Sequence, residues 1–298
     1  MPPPAPPLTL AIGMFDGIHL GHQAVLRAAA ASARRHPDGI AACLTFHPHT
    51  AHLLHPRRAP LLLCTPEQNR VQITTCGITR IHTLPFTPAL AATPPADFLT
   101  LLKKTFPTLT EIVVGANFTF GKNRAGNADT LPALAAAIHC TTRIIPPVEW
   151  EGAVISSTRI RAAVEAGHLP AAAAMLGRPF ALAGQIIHGR AIARTQGYPT
   201  ANLRPRLPIR PAPGVYAAHL HLPDGPRPGP AFVPDPADPA QAHFGDIVEI
   251  HLPGLTRDLY HLQTEITFTR RLRSYIPFST PAAAATQLAQ DTAQALEG

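Results

Sequence analysis

The stretch Gly13-Met14-Phe15-Asp16-Gly17-Ile18-His19-Leu20-Gly21-His22-Gln23 decides the fold. It follows the apolar residues 8–12, which read as a buried strand, and precedes residues 24–33, a run of strong helix formers. The chain therefore passes from strand to helix through a turn rich in glycine and histidine. Small residues there let an anion approach the backbone, and a helix start offers free N–H groups at the positive end of its dipole. His19 and His22 lie three residues apart, so both can face one bound anion.

Working outward, the pattern repeats. Residues 40–46, 80–84, 111–115 and 141–145 read as strands, and residues 67–76, 96–106 and 128–139 as helices. This alternation predicts an α/β domain: a Rossmann-like parallel sheet with helices on both faces. In such sheets a ligand sits beyond the carboxyl ends of the strands. Gly13 and Gly115 each end a strand, so the segments after them are placed to meet at one site. Beyond about residue 177 the texture changes. Residues 180–188, 214–222, 247–252 and 263–269 read as extended segments joined by proline- and glycine-rich connections, which predicts a small antiparallel β-barrel. Residues 281–296 read as a closing helix, and residues 223–239, rich in Pro, Asp and Ala, as a surface loop. The expected domains are residues 1–177 and 178–298.

Composition narrows the classes. Of 298 residues 46% are hydrophobic and 14% charged, with 35 prolines, which suits a packed protein with rigid turns rather than a disordered one. The net charge of +7 fits polyphosphate substrates as well as nucleic acid. No lysine-rich tail or basic helix face supports nucleic acid, which is not an expected partner. Four cysteines without a CxxC pair argue against zinc and a disulfide framework. Neither a secretion signal nor a span of about 20 apolar residues is evident, so a cytoplasmic protein, off the membrane, is expected. Monomer or weak oligomer is the expected state. His47, His49, His52 and His55 surround two prolines and leave three readings open: a metal cluster, a loop facing a ligand, or plain surface.

Two further segments belong with the first turn. Gly115-Ala116-Asn117-Phe118-Thr119-Phe120-Gly121 follows a strand and leads to Lys122 and Arg124. Ile155-Ser156-Ser157-Thr158-Arg159-Ile160-Arg161 starts a helix whose hydroxyls suit capping and anion binding. The first turn resembles the HxGH motif of nucleotidylyltransferases. Together, GMFDGIHLGHQ, TFHPH, VVGANFTFG, ISSTRIR and LGRPF resemble, in order, the bacterial bifunctional riboflavin kinase/FAD synthetases. The resemblance implies an N-terminal FMN adenylyltransferase and a C-terminal flavokinase barrel. It places Gly13, Phe15, Asp16, His19 and His22 at an ATP site, with His19 and His22 catalytic. Asn117 falls at a position that helps hold nucleotide or flavin. Ser156, Ser157, Thr158 and Arg159 fall in the segment that grips the triphosphate, with Arg159 catalytic. The substrates implied are riboflavin, FMN and ATP, with Mg²⁺ as cofactor.

In the second half, Gly197-Tyr198-Pro199-Thr200-Ala201-Asn202-Leu203 resembles the PTAN motif of flavokinases. Thr200 and Asn202 lie two residues apart, so an extended segment points both to one side, as a Mg²⁺–ATP clamp requires. Glu249 resembles the carboxylate that takes the proton of the riboflavin 5′-hydroxyl. The chain departs from the family pattern at Gly189-Arg190, Ala193-Arg194, residues 232–238 and Pro277-Phe278. Two alternatives follow from those departures: a monofunctional FAD synthetase with an inactive barrel, and a non-catalytic flavin-binding protein.

Overall fold

The computed structural model describes residues 5–188, 200–255 and 257–297. By its internal contacts the chain divides into two compact units. The first comprises residues 1–60 and 66–156, the second residues 61–65 and 157–298.

The first unit is built on β1 (Leu8–Ile12), α1 (Leu20–Ala33), β2 (Ile40–His47), α2 (Thr50–Leu54), α3 (Pro66–Thr75), β3 (Arg80–Pro85), α4 (Pro88–Ala91), α5 (Pro95–Thr105) and β4 (Leu109–Gly115). It continues through β5 (Thr119–Phe120), β6 (Gly126–Asn127), α6 (Leu131–Ala136), β7 (Thr141–Ile145), β8 (Glu149–Trp150) and β9 (Ala153–Val154). Five strands form a parallel sheet in the order β3-β2-β1-β4-β7. Every residue of β1 is buried, as expected of a central strand covered on both faces. Alternation along the strands sends side chains to two separate cores. Leu10, Ile12, Leu44, Ile112 and Val114 pack with Phe98 and Leu102 of α5 and Leu131 of α6. Ala11, Cys43 and Val113 pack with Leu26, Ala29 and Ala30 of α1 and Ile73 of α3. The helix expected over residues 128–139 is shorter, Leu131–Ala136. Pro132 is tolerated at its first turn, and Asn127 and Thr130 exchange hydrogen bonds ahead of it in a turn.

The second unit begins with α7 (Ser157–Glu165) and α8 (Leu169–Leu176). Gly177, left-handed at φ 72°, ends α8. Then come β10 (Phe180–Ile187), β11 (Thr200–Pro205), β12 (Gly214–Leu222), β13 (Gly225–Val233), β14 (Val248–His251), β15 (Gln263–Arg273) and α9 (Pro281–Leu296). The strands close into a barrel in the order β10-β11-β14-β13-β12-β15. Its interior is filled by Phe180, Leu182, Ile186, Leu203, Tyr216, Leu220, Ile250, Ile266 and Phe268. The guanidinium of Arg273 on β15 grips the buried Asp291 of α9 through Nε at 2.9 Å and Nη2 at 2.6 Å, fastening the closing helix to the barrel.

One sequence expectation is corrected here. Residues 225–233 are not surface loop but β13, paired along its whole length with β12 from Gly214↔Val233 to Leu222↔Gly225. Its prolines, Pro226, Pro228 and Pro230, recur with period two, so all three missing N–H groups fall on one edge. The intervening residues keep their N–H groups for β12, while β14 pairs with β13 only at Ala231 and Phe232. Gly229 is required on that strand, because a Cβ there would stand 1.9 Å from the carbonyl oxygen of His251.

Candidate functional site

β1 lies between β2 and β4 in the sheet. The chain leaves β1 toward β2 on one side and returns to β4 on the other, so the β1/β4 boundary is the topological switch point, where a crevice opens beyond the strand ends. The turn after β1 carries Gly13, Phe15, Asp16 and His19; the turn after β4 carries Asn117. Asn117 folds back over its strand end, its Oδ1 3.2 Å from where a Cβ on Gly115 would stand.

The turn from β1 to α1 is conformationally demanding. Phe15 (φ 48°) and Ile18 (φ 40°) have positive φ, as does Gly17 (φ 82°). For a β-branched residue such as Ile18 this is an outlier, a kind of strain that collects at functional sites and persists only where surroundings impose it. Several contacts do so. Gly13 N–H donates to Leu44 O at 3.1 Å. Thr45 Oγ1 donates to Met14 O at 3.1 Å, Asn69 Oδ1 accepts Gly17 N–H at 3.1 Å, and Gln23 Nε2 donates to Ile18 O at 3.0 Å. The buried Phe15 ring sits so close over Gly13 that a Cβ there would meet it at 3.0 Å.

His19 is the N-cap of α1, and its Nδ1 accepts the backbone N–H of His22 at 3.3 Å. That bond fixes Nδ1 as an acceptor, so the neutral ring carries its hydrogen on Nε2. The His19 and His22 rings stack, centroids 3.7 Å apart and planes 19° from parallel. Phe15 meets the His22 ring edge-on at 5.4 Å. Gly21 leaves room for the stack: a Cβ there would lie 3.0 Å from His19 Cε1. Burial, and then the neighbouring His19, hold the His22 pKa well below its ordinary value, so His22 is neutral at pH 7. Its Nδ1 is buried without a hydrogen-bond partner. An unprotonated Nδ1 is the cheaper orphan, since leaving a donor unmade costs more, and the hydrogen then resides on Nε2. The turn thus presents two stacked imidazoles, His22 held neutral, at the start of α1.

The other site residues of the first half are placed as follows. Asp16 is 3% exposed. Ser156 closes the first unit, while Ser157, Thr158 and Arg159 form the first turn of α7 in the second. Further along α7, Arg161 Nε donates to Leu61 O at 2.6 Å, which ties that helix to the segment 61–65 of its own unit. The histidines after β2 take a different part. His49 caps α2, its Nδ1 accepting Ala51 N–H at 3.2 Å, while His47, His52 and His55 are exposed. Among the described residues no group of three or more His, Cys, Asp or Glu is placed to hold a metal.

The second constellation lies on the barrel wall. Asn202 of β11 is directly opposite Glu249 of β14, and Thr200 is opposite His251. Glu249 also faces Phe232 of β13. Ala201, Leu203, Val248 and Ile250 point inward, so by alternation Thr200, Asn202, Glu249, His251 and Phe232 share the outer face. Directly opposed pairs have Cβ atoms about 4.5–5.5 Å apart. Burial raises the Glu249 pKa, moving a carboxylate toward the basicity a general base needs. Phe232 touches Phe244 at 5.0 Å and Tyr275 at 5.5 Å between centroids, an aromatic cluster beside the carboxylate. Sequence reasoning missed Phe232, Phe244, Tyr275 and His251. Phe232 stood in the segment read as loop, and the register that opposes Glu249 to Asn202 and Phe232 is a tertiary fact. Gly189-Arg190, Ala193-Arg194 and Pro199 lie outside the described residues.

Comparison with known proteins identifies the family. Residues 3–159 match the family model of FAD synthetase, and residues 176–297 that of riboflavin kinase. The chain is 32% identical to the bifunctional riboflavin kinase/FMN adenylyltransferase of Pseudomonas fluorescens, covering 95% of this chain and 90% of that one. It is 31% identical to the protein of the same name from Escherichia coli (strain K12), covering 97% and 91%, and 30% identical to that of Bacillus subtilis (strain 168), covering 96% and 91%. A crystal structure titled macrolide-efflux protein, from Streptococcus pneumoniae, superposes with a TM-score of 0.83 at 27% identity, covering 96% of this chain and 93% of that one. Among the described residues no helix is long and apolar enough to cross a membrane. With two family models in tandem and relatives alike over nearly their full length, this chain belongs to the bifunctional riboflavin kinase/FMN adenylyltransferases.

Proposed function

We propose that the chain performs its family's two reactions with two separate sets of residues: FMN adenylylation at the β1–β4 crevice, and riboflavin phosphorylation on the outer face of the barrel wall. The observation that carries the first is the stacked pair of imidazoles at a helix N-terminus. In adenylyl transfer the FMN phosphate attacks the α-phosphorus of ATP, the α–β bridging P–O bond breaks, and pyrophosphate leaves. Negative charge builds on the transferring group and on the leaving group. His19 and His22 donate from Nε2 into that charge, and the α1 dipole adds to it without reorganising. Gly13, Phe15 and Asp16 shape the nucleotide's seat, and Asn117 faces the same crevice from β4. Ser156, Ser157, Thr158 and Arg159 are assigned to the triphosphate, through hydroxyls, the start of α7 and a guanidinium.

On the barrel, Glu249 takes the proton of the riboflavin 5′-hydroxyl as that oxygen attacks the γ-phosphorus and ADP leaves. The Phe232 cluster offers an apolar wall to the flavin ring. Thr200 and Asn202 contribute neutral oxygen donors beside a carboxylate, a hard donor set that suits Mg²⁺. Mg²⁺ carried by ATP would be held there, and when bound it neutralises phosphate charge. We assign residues 1–177 to the adenylyltransferase and 178–298 to the kinase. The test is a product assay on purified protein with FMN, ATP and Mg²⁺: FAD and pyrophosphate are expected in equal amounts, and their absence overturns the reading of the crevice.

A further inference from the structure

We infer that Asn69 is a positioning residue for adenylyl transfer, holding the β1–α1 turn in its catalytic shape from a neighbouring helix; this rests on the role proposed above for that turn. Asn69 is the fourth residue of α3, a helix that contributes no group to either proposed site. Its Oδ1 accepts the N–H of Gly17, 52 residues earlier in the chain, at 3.1 Å. Gly17 lies in a stretch where three residues of four, Phe15, Gly17 and Ile18, have positive φ. A backbone so far from its preferred wells keeps its shape only where outside contacts over-determine it.

α3 supplies such contacts in two forms. Ile73, one helical turn after Asn69 and on the same face, is 2% exposed and packs in the cluster that contains Phe15 and Ile18. The apolar contact sets the helix against the turn, and the amide of Asn69 fixes the peptide between the two strained residues. Phe15, Asp16 and His19 all hang from that peptide within two residues. Rotation of Gly17 by a few tens of degrees would carry the His19 ring out of its stack and out of line with the phosphates, while leaving core and fold in place. The bond therefore serves geometry more than stability. Geometry is where a displacement of about 1 Å is felt most in a reaction that depends on positioning.

The experiment compares wild type, Asn69→Ala and Asn69→Asp in both reactions of the same full-length protein. Asp keeps an oxygen acceptor at the position; Ala removes it. Asn69→Ala is expected to lower kcat for FAD formation about 5- to 20-fold. KM for FMN and riboflavin phosphorylation should both stay within about twofold. Asn69→Asp is expected to recover FAD formation to within about threefold of wild type. The inference is overturned if Asn69→Ala makes FAD at the wild-type rate, if Asp is no better than Ala, or if phosphorylation falls in step with adenylylation. Failure of the wild type to make FAD would instead sink the underlying reading of the turn, so the two failures are told apart.

Discussion

Replacing His19 separates its two jobs, as helix cap and as phosphate donor. The cap bond, at 3.3 Å, is long, so its loss in His19→Ala belongs at the low end of the cap range, about 0.5–1 kcal/mol. The stack on His22 adds about 0.5–1.5 kcal/mol. Together these lower Tm by roughly 2–10 °C, at about 2–4 °C per kcal/mol for a domain of this size. His19→Asn restores a good cap and forfeits only the stack. Neither loss unfolds a protein whose stability is about 5–15 kcal/mol. The donor is a different matter: removing one preorganised hydrogen bond to a developing oxyanion costs about 10²–10³ in kcat. Both variants should therefore lose FAD synthesis by that factor, while Asn melts above Ala and both phosphorylate riboflavin normally. The assay is product chromatography from FMN and from riboflavin, alongside thermal melts. If His19→Asn made FAD within about threefold of wild type, or if phosphorylation fell equally, the donor argument would be wrong.

Other outcomes follow from the charges. His22 is held neutral by burial, so below pH about 6.5 the unfolded chain binds a proton that the folded chain refuses. Stability then falls as pH drops, at up to about 1.4 kcal/mol per pH unit from this one group, and His22→Gln should flatten that slope in denaturation curves between pH 7.5 and 5.5. Glu249→Gln should abolish riboflavin phosphorylation, spare FMN adenylylation and raise Tm. Burial raises the pKa of this carboxyl, so the ionised form weighs on the fold once pH rises above the unfolded-state value of about 4.3, and a neutral amide lifts the penalty. A variant that lost kinase activity yet melted lower than wild type would contradict the burial argument. Asp291→Ala strands the Arg273 guanidinium in a largely buried site and should cost about 3–5 kcal/mol in chemical denaturation, against near zero if α9 docks by apolar contact alone.

What was legible in the sequence was whatever depends on short range. The strand-turn-helix around His19 is visible because apolar run, glycines and helix formers follow one another directly. The barrel was visible as alternation in β10 and β12. β13 was not, because prolines in series read as breakers, and only their period of two reveals that one strand edge stays intact. Asn202 and Glu249 were each picked out singly, yet the register that makes them neighbours depends on how β11 and β14 pair across 40-odd residues. Asn69 carried no signal at all. An asparagine in a polar helix is unremarked until the Gly17 N–H is found on it.

The most direct test of the account supplies riboflavin, ATP and Mg²⁺ as the only substrates and follows the products in time. FMN should form first, with ADP, and FAD afterwards, with pyrophosphate. FMN that accumulated without FAD would contradict the role given to the stacked histidines, and riboflavin left unphosphorylated would contradict the pairing of Glu249 with Asn202 as a working kinase site.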